Sequence, residues 1–138
     1  MDVRMLYHTP DPERSIATAA RLCYAPVGAA ELMESLDEEA IHRVLRTVIT
    51  SGHLSTLEHA SYTFAIDGVS RAMTHQLVRH RLASFNQQSQ RYVSYDKDPS
   101  FIVPPEIDEN PELKMRYMQA CGEAFMNYRA LIEAGVAP

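Results

Sequence analysis

The sequence has 138 residues, of which 46% are hydrophobic and 22% charged, with a formal net charge of −5. A chain of that length buries about two thirds of its unfolded surface as one domain and is short for two, and its composition excludes disorder, collagen-like structure and coiled coil. No apolar run approaches the roughly 20 residues of a membrane helix, the start MDVRMLYHTP has no signal-peptide core, and Cys23 and Cys121 stand outside any CxxC spacing, which predicts a cytoplasmic chain without a disulfide framework or a cysteine zinc site.

In chain order, Val3 to His8 reads as a short strand that stops at Thr9-Pro10, because proline removes a ladder donor. Asp11 caps a helix with Pro12 at its first position, and Ile16, Ala19, Ala20 and Cys23 fall on one face, which predicts Cys23 in the core. A short helix is expected around Ala30 to Leu36, then a clearer one capped by Asp37, with the stripe Ile41, Val44, Leu45, Val48 and with Gly52 just past its end. The polar connection that follows contains a Ser55 to Glu58 capping box, and Tyr62 to Ile66 alternates as a strand up to the Asp67-Gly68 turn. Ser70 caps a helix with Met73 and Leu77 on one side and His75, Gln76 and Arg79 on the other. LASFNQQSQRY has no apolar period and is expected to be a loop or a short irregular strand, and Phe101 to Pro105 is extended. Asn110 and Pro111 open the longest helix, with Leu113, Tyr117, Ala120, Cys121, Ala124, Tyr128 and Leu131 expected on its buried side and an end at Gly135. These elements predict an α+β fold: a mixed or antiparallel sheet flanked by helices, one of them long and C-terminal.

The chemistry concentrates between Arg71 and Arg91, a stretch with four arginines and no acid in a chain that is acidic overall. Gln76, Arg79, His80, Arg81, Ser84, Asn86, Gln87, Ser89 and Arg91 supply forked donors and amides. Guanidinium groups bind phosphate bidentately and stack on rings, and amides read base edges, so a nucleotide suits the set, while a solvated basic face also satisfies four arginines alone. The five glycines form neither GxGxxG nor GxxxxGK[ST], so no glycine loop cradles phosphate. His53, Glu58, His59, His75 and His80 have no HExxH or other compact metal spacing, and no metal is expected. His59 and His75 read as packing or surface residues.

Arg79-His80-Arg81, followed by seven residues and Ser89, resembles the RHR-x7-S signature of the flavin-dependent thymidylate synthase family. The N-terminal HTPDPE, the segment GHLSTLEHASYTF and Gln76 three residues before Arg79 agree with it, so the resemblance spans nearly the whole chain. It implies reductive methylation of dUMP to dTMP with FAD as cofactor, NADPH as electron donor and methylenetetrahydrofolate as carbon donor. It also implies that family's α+β fold and a homotetramer with active sites between subunits, with neither membrane nor nucleic acid as partner. Carried over position by position, it assigns Ser55, Glu58, Arg79, His80, Arg81 and Asn86 to FAD, assigns Gln76, Gln87, Ser89 and Arg91 to dUMP, and sets His53 near the flavin and the folate path. Gln87 stands where the family often has an acidic residue. The family's chains run further, through more strands and an arginine-containing helix, so residues 1–138 are expected to be one domain of that fold without its C-terminal part.

In such chemistry the cofactor carries the redox step and the protein positions and holds charge. With no glycine-rich loop, arginines must supply the positive field for the pyrophosphate. Saturating C6 of uracil needs a protein nucleophile or hydride. A thiolate needs an exposed electropositive site, and both cysteines fall on predicted apolar stripes, leaving hydride from the reduced flavin. Ser89 needs a positioned base to attack, so dUMP binding is the preferred role. Two other readings compete: a nucleic-acid-binding module that uses the Arg71 to Arg91 strip with Phe85 and Tyr92 for stacking, and a non-catalytic oligomer that holds no cofactor.

Overall fold

A computed structural model of the chain describes residues 1–95 and 100–137. It has the predicted α+β composition: an antiparallel two-stranded sheet, β1 (Asp2–His8) and β2 (Tyr62–Asp67), with helices α1 (Pro12–Leu22), α2 (Ala29–Ser35), α3 (Glu38–Thr50), α4 (Arg71–Leu77), α5 (Pro105–Asp108) and α6 (Pro111–Glu133). A 3-10 turn, Leu54–His59, stands between α3 and β2. The chain divides into two compact units, Met1–Asp67 and Gly68–Pro138.

In the first unit the strands pair with Val3 opposite Ile66 and Met5 opposite Phe64, and then the register shifts. Leu6 is the extra residue of a bulge, after which Tyr7 faces Thr63 and His8 faces Tyr62. Val3, Met5, His8, Tyr62, Phe64 and Ile66 thus share one face, where the His8 and Tyr62 rings stack at 6.3 Å and those of Tyr62 and Phe64 at 6.5 Å. At the open end Asp2 lies opposite Asp67, a like-charge pair that Arg4 offsets through its 2.7 Å ion pair to Asp2.

The core lies among α1, α2 and α3, where Ile16, Ala17, Leu32, Ile41 and Val48 are buried together with Thr18. Arg14 ties α1 to the end of α2 by donating to the carbonyls of Met33 and Leu36. Asp37 caps α3, accepting from the Ala40 amide at 2.7 Å. Asp11 caps α1 from a left-handed backbone, φ 43°, and its carboxylate accepts from the Arg14 amide at 3.4 Å and the Arg14 guanidinium at 2.8 Å. Asp37→Ala is therefore expected to cost about 1 kcal/mol and Asp11→Ala about 2 kcal/mol, since alanine also keeps the left-handed penalty. Asp11→Gly should fall below Asp11→Ala. Urea denaturation of the three variants checks that order.

Cys23 is not in the core. It is the C-cap of α1 and exposed, because the helix ends at Leu22, before the predicted stripe reaches its last member. Iodoacetamide is expected to modify Cys23 well before the half-buried Cys121, and Cys23→Ser to change stability by no more than about 0.5 kcal/mol; peptide mapping and a denaturation curve test both.

In the second unit, among the described residues, nothing reaches the buried class. Ser70 caps α4 through the Met73 amide at 3.1 Å. Residues 82–92 form turns and irregular chain, as their composition predicts, but α4 ends at Leu77, so Arg79, expected on its face, lies in the turn beyond it. Residues 101–104 run without helix or strand into the single turn of α5, which the sequence reading takes as still extended at Pro105. Asn110 caps α6 by accepting from the Glu112 and Leu113 amides. The covered side of α6 is Tyr117, Cys121, Phe125, Tyr128 and Ile132, whereas the predicted Leu113, Ala120, Ala124 and Leu131 are exposed. Phe125 meets Phe101 edge to face at 6.4 Å, and the Tyr128 hydroxyl accepts from the Tyr95 amide at 3.3 Å.

The Tyr117 hydroxyl donates to the Ile102 carbonyl at 3.0 Å. Partial desolvation, followed by the neighbouring Cys121 thiol, raises its pKa above the ordinary 10.0. A phenol that ionises later when folded stabilises the fold fully below its unfolded value and loses that contribution as pH rises through the folded one. Absorbance near 295 nm is expected to show Tyr117 titrating above the ordinary phenol value, with stability declining over the same alkaline range.

Candidate functional site

The end of α3 sets up the first part of the site. Gly52 adopts φ +71°, and the His53 amide donates to the Val48 carbonyl at 3.0 Å while the Gly52 amide donates to Ile49 at 3.2 Å. This Schellman closure reverses the chain and delivers His53 directly into the 3-10 turn. There the turn, α3 and the end of α1 enclose an open groove of about 850 Å3. On α3, Ala40, Val44 and Val48 recur every fourth residue as an apolar floor, and Arg43, Thr47 and Ser51 recur in step beside them as a polar wall. Ala19 and Ala20 of α1 are small enough to leave the space open, and His53, Ser55, Thr56 and His59 come from the turn.

His53 and Ser55 are therefore brought together, while Glu58, also exposed, does not line the groove. The Ser55 to Glu58 capping box does not form. The segment closes instead by backbone bonds from Thr56 to His53 and from Ala60 to Leu57, with no side-chain cap, so both polar side chains stay free for other partners. Arg21 and Arg43 line the same groove and were not picked out from the sequence, and His59, read there as a packing or surface residue, lines it too. The signal that could have found Arg43 was its fourfold recurrence with Thr47 and Ser51 beside an apolar stripe; for Arg21 there was none. Cys23 lines it too, so burial does not set its thiol aside as a nucleophile.

The second unit carries the arginine-rich segment. α4 ends at Leu77, and backbone bonds from Arg79 to Gln76 and from His80 to Leu77 wind the chain one further turn. Gln76, Arg79, His80, Arg81 and Asn86 are exposed, and among the described residues none of their side chains has a hydrogen-bond or ion-pair partner. Gln87 is held differently. Its amide donates to the Thr74 hydroxyl at 2.6 Å, folding the loop back onto α4. The Ser89 hydroxyl oxygen accepts from the Arg91 amide at 3.2 Å, and no histidine contacts it among the described residues. The Arg91 guanidinium lies over the Tyr92 ring, 5.8 Å from its centre. Among the described residues no three histidine, cysteine or acidic side chains converge as a metal site, and no helix is long and apolar enough to cross a membrane.

A family model described as thymidylate synthase complementing protein matches residues 4–138. The chain belongs to that family. Among curated proteins it is similar to the flavin-dependent thymidylate synthase of Geobacter sulfurreducens, at 49% identity over 99% of this chain and 59% of that protein. It is likewise similar to that of Clostridium tetani, at 49% over 86% of this chain and 47% of that protein, and to that of Pyrococcus furiosus, at 37% over 97% and 56%. The chain thus spans about half the length of the curated thymidylate synthases it matches. Within the thymidylate synthase complementing protein family match fall both the groove of the first unit and the whole Arg79 to Arg91 segment of the second.

Proposed function

We propose that this chain is the flavin- and nucleotide-binding portion of a flavin-dependent thymidylate synthase, converting dUMP to dTMP with NADPH and methylenetetrahydrofolate as co-substrates. The observation that carries the reading is the set of unpaired donors at Arg79, His80 and Arg81 in a segment without a single carboxylate, within a family match that covers nearly the whole chain. A charged fork with no partner is a poor investment for stability and a good one for binding an anion.

FAD fits these residues. Its pyrophosphate needs cationic forks where no glycine-rich loop exists, and Arg79, Arg81 and His80 are exposed and uncommitted. Asn86, Ser55 and Glu58 offer amide, hydroxyl and carboxylate groups for its polar edges, all of them exposed. When bound, FAD supplies the hydride and the electron transfer. For dUMP, Arg91 and Ser89 hold the phosphate, and Gln76 and Gln87 reach the uracil or the sugar. Thr74 fixes Gln87 in orientation, which favours selection of one ring edge over tight binding. With no histidine in contact with Ser89 among the described residues, its hydroxyl binds and does not attack. His53, exposed at the mouth of the groove, holds the approach for the folate. The working assembly is a homotetramer, with residues from neighbouring subunits meeting around each flavin, and the 138 residues act as one domain of the larger fold in the cytoplasm.

Titration of the protein with FAD, followed by visible absorbance and flavin fluorescence, tests the reading. Saturable quenching that dUMP enhances supports it. Steep salt-dependent binding of single-stranded DNA with no flavin affinity would replace it with the nucleic-acid module, and oligomers that bind neither ligand would leave the non-catalytic assembly.

A further inference from the structure

Of the features outside the arginine-rich segment, the groove of the first unit is the most developed. No carboxylate lines it, whereas two arginines, two histidines and the hydroxyls of Tyr24, Thr47, Ser51, Ser55 and Thr56 do. The side chains of Arg21 and Arg43 have no hydrogen-bond or ion-pair partner among the described residues. Of the other arginines of this unit, Arg4 pairs with Asp2 and Arg14 with Asp11, while Arg46 has no side-chain partner among the described residues and does not line the groove. Two free guanidinium groups on the rim of one acid-free groove mark a place where negative charge is stabilised.

We propose that Arg21 and Arg43 form an oxyanion-binding subsite that holds the carboxylate or phosphate end of a flat ligand, whose body lies along the apolar floor of Ala40, Val44 and Val48. The row geometry carries the second half of this statement. An apolar strip beside a polar strip, both one helix repeat long per step, offers an amphipathic ring system a dry side and a hydrogen-bonding side at once. Because His53 and Ser55 line the same groove, the subsite extends the flavin and folate reading above, and it rests on that reading only for the identity of the ligand. The two arginines as anion receptors stand on the groove itself.

The test uses the 138-residue protein labelled with nitrogen-15 and two probes in separate titrations, inorganic pyrophosphate and p-aminobenzoylglutamate. At least one is expected to shift the amides of Arg43, Thr47 and residues 51–59 saturably and to weaken with added salt. Saturation by pyrophosphate alone assigns the subsite to a phosphate end, by the glutamate conjugate alone to a carboxylate end, and by both to either. Arg21→Gln and Arg43→Gln should each weaken binding about 10-fold, with Arg43→Lys in between because it keeps the charge and loses the fork. Both arginines are exposed, so unchanged circular dichroism is expected and separates binding from folding. Shifts from neither probe, or equal affinity in wild type and both glutamine variants, would overturn the subsite. Failure of FAD to bind while a probe still saturates the groove would count against the flavin reading alone.

Discussion

Arg79→Ala is expected to weaken FAD binding about 10- to 100-fold, the equivalent of losing one charge-assisted fork on a phosphate. The reason is local. Arg79 is exposed just beyond α4 and bonded to no other side chain among the described residues, so its removal costs little in stability and nearly all of its effect should appear in binding. Arg71→Ala is the matched control, because Arg71 opens α4 within the same basic strip but outside the RHR signature. It removes the same charge from the general field and should change FAD affinity by less than about twofold in 0.15 M salt. Fluorescence titration of both variants decides the matter. Equal weakening would mean that the strip acts only as a diffuse positive face.

The second large effect is on folding. Ile41→Ala is expected to cost about 2–5 kcal/mol, the usual loss when a buried isoleucine is cut back to its first carbon and the neighbours relax only in part. Ile41 is 4% exposed and sits in a core of five buried apolar residues, with Ile16, Ala17, Leu32 and Val48 as the others. Domains hold only about 5–15 kcal/mol in total, so one such deletion removes a large share of the first unit's stability. Urea denaturation should show a much lower midpoint for Ile41→Ala than for Ile49→Ala, since Ile49 on the same helix is 59% exposed. Similar midpoints would mean that the α1–α3 layer is not where the stability resides.

What could be read from the sequence was what depends on near neighbours. Asp11, Asp37, Ser70 and Asn110 were recognisable as caps because each acts on amides two or three residues ahead, and all four do so. The α3 stripe of Ile41, Val44, Leu45 and Val48 was legible because one helix face settles it. Cys23 failed because a periodic pattern does not say where the helix unwinds. Ser55 and Glu58 failed because the capping box needs an α-helical first turn, and the segment forms a 3-10 turn instead. On α6 the expected stripe assumed a broad layer to pack against. Among the described residues its partners are Tyr95, Phe101, Ile102 and the single turn of α5, which Lys114 reaches by an ion pair to Asp108, so only a narrow side from Tyr117 to Ile132 is covered. The groove was illegible for a different reason: three separated segments build it, and Arg21 and Arg43 become neighbours of one space only when α1 lies beside α3.

The unmatched Leu6 changes what β1 means as a string of alternating letters. Ahead of it odd-numbered positions point the way of Phe64; behind it even-numbered ones do. Excising that single leucine would restore simple parity and leave every pair as it is, with Tyr7 opposite Thr63 and His8 opposite Tyr62. Strict alternation through all seven residues would instead set Tyr7 opposite Tyr62, so it is the looping out of Leu6 that keeps an imidazole and not a phenol in the row of rings.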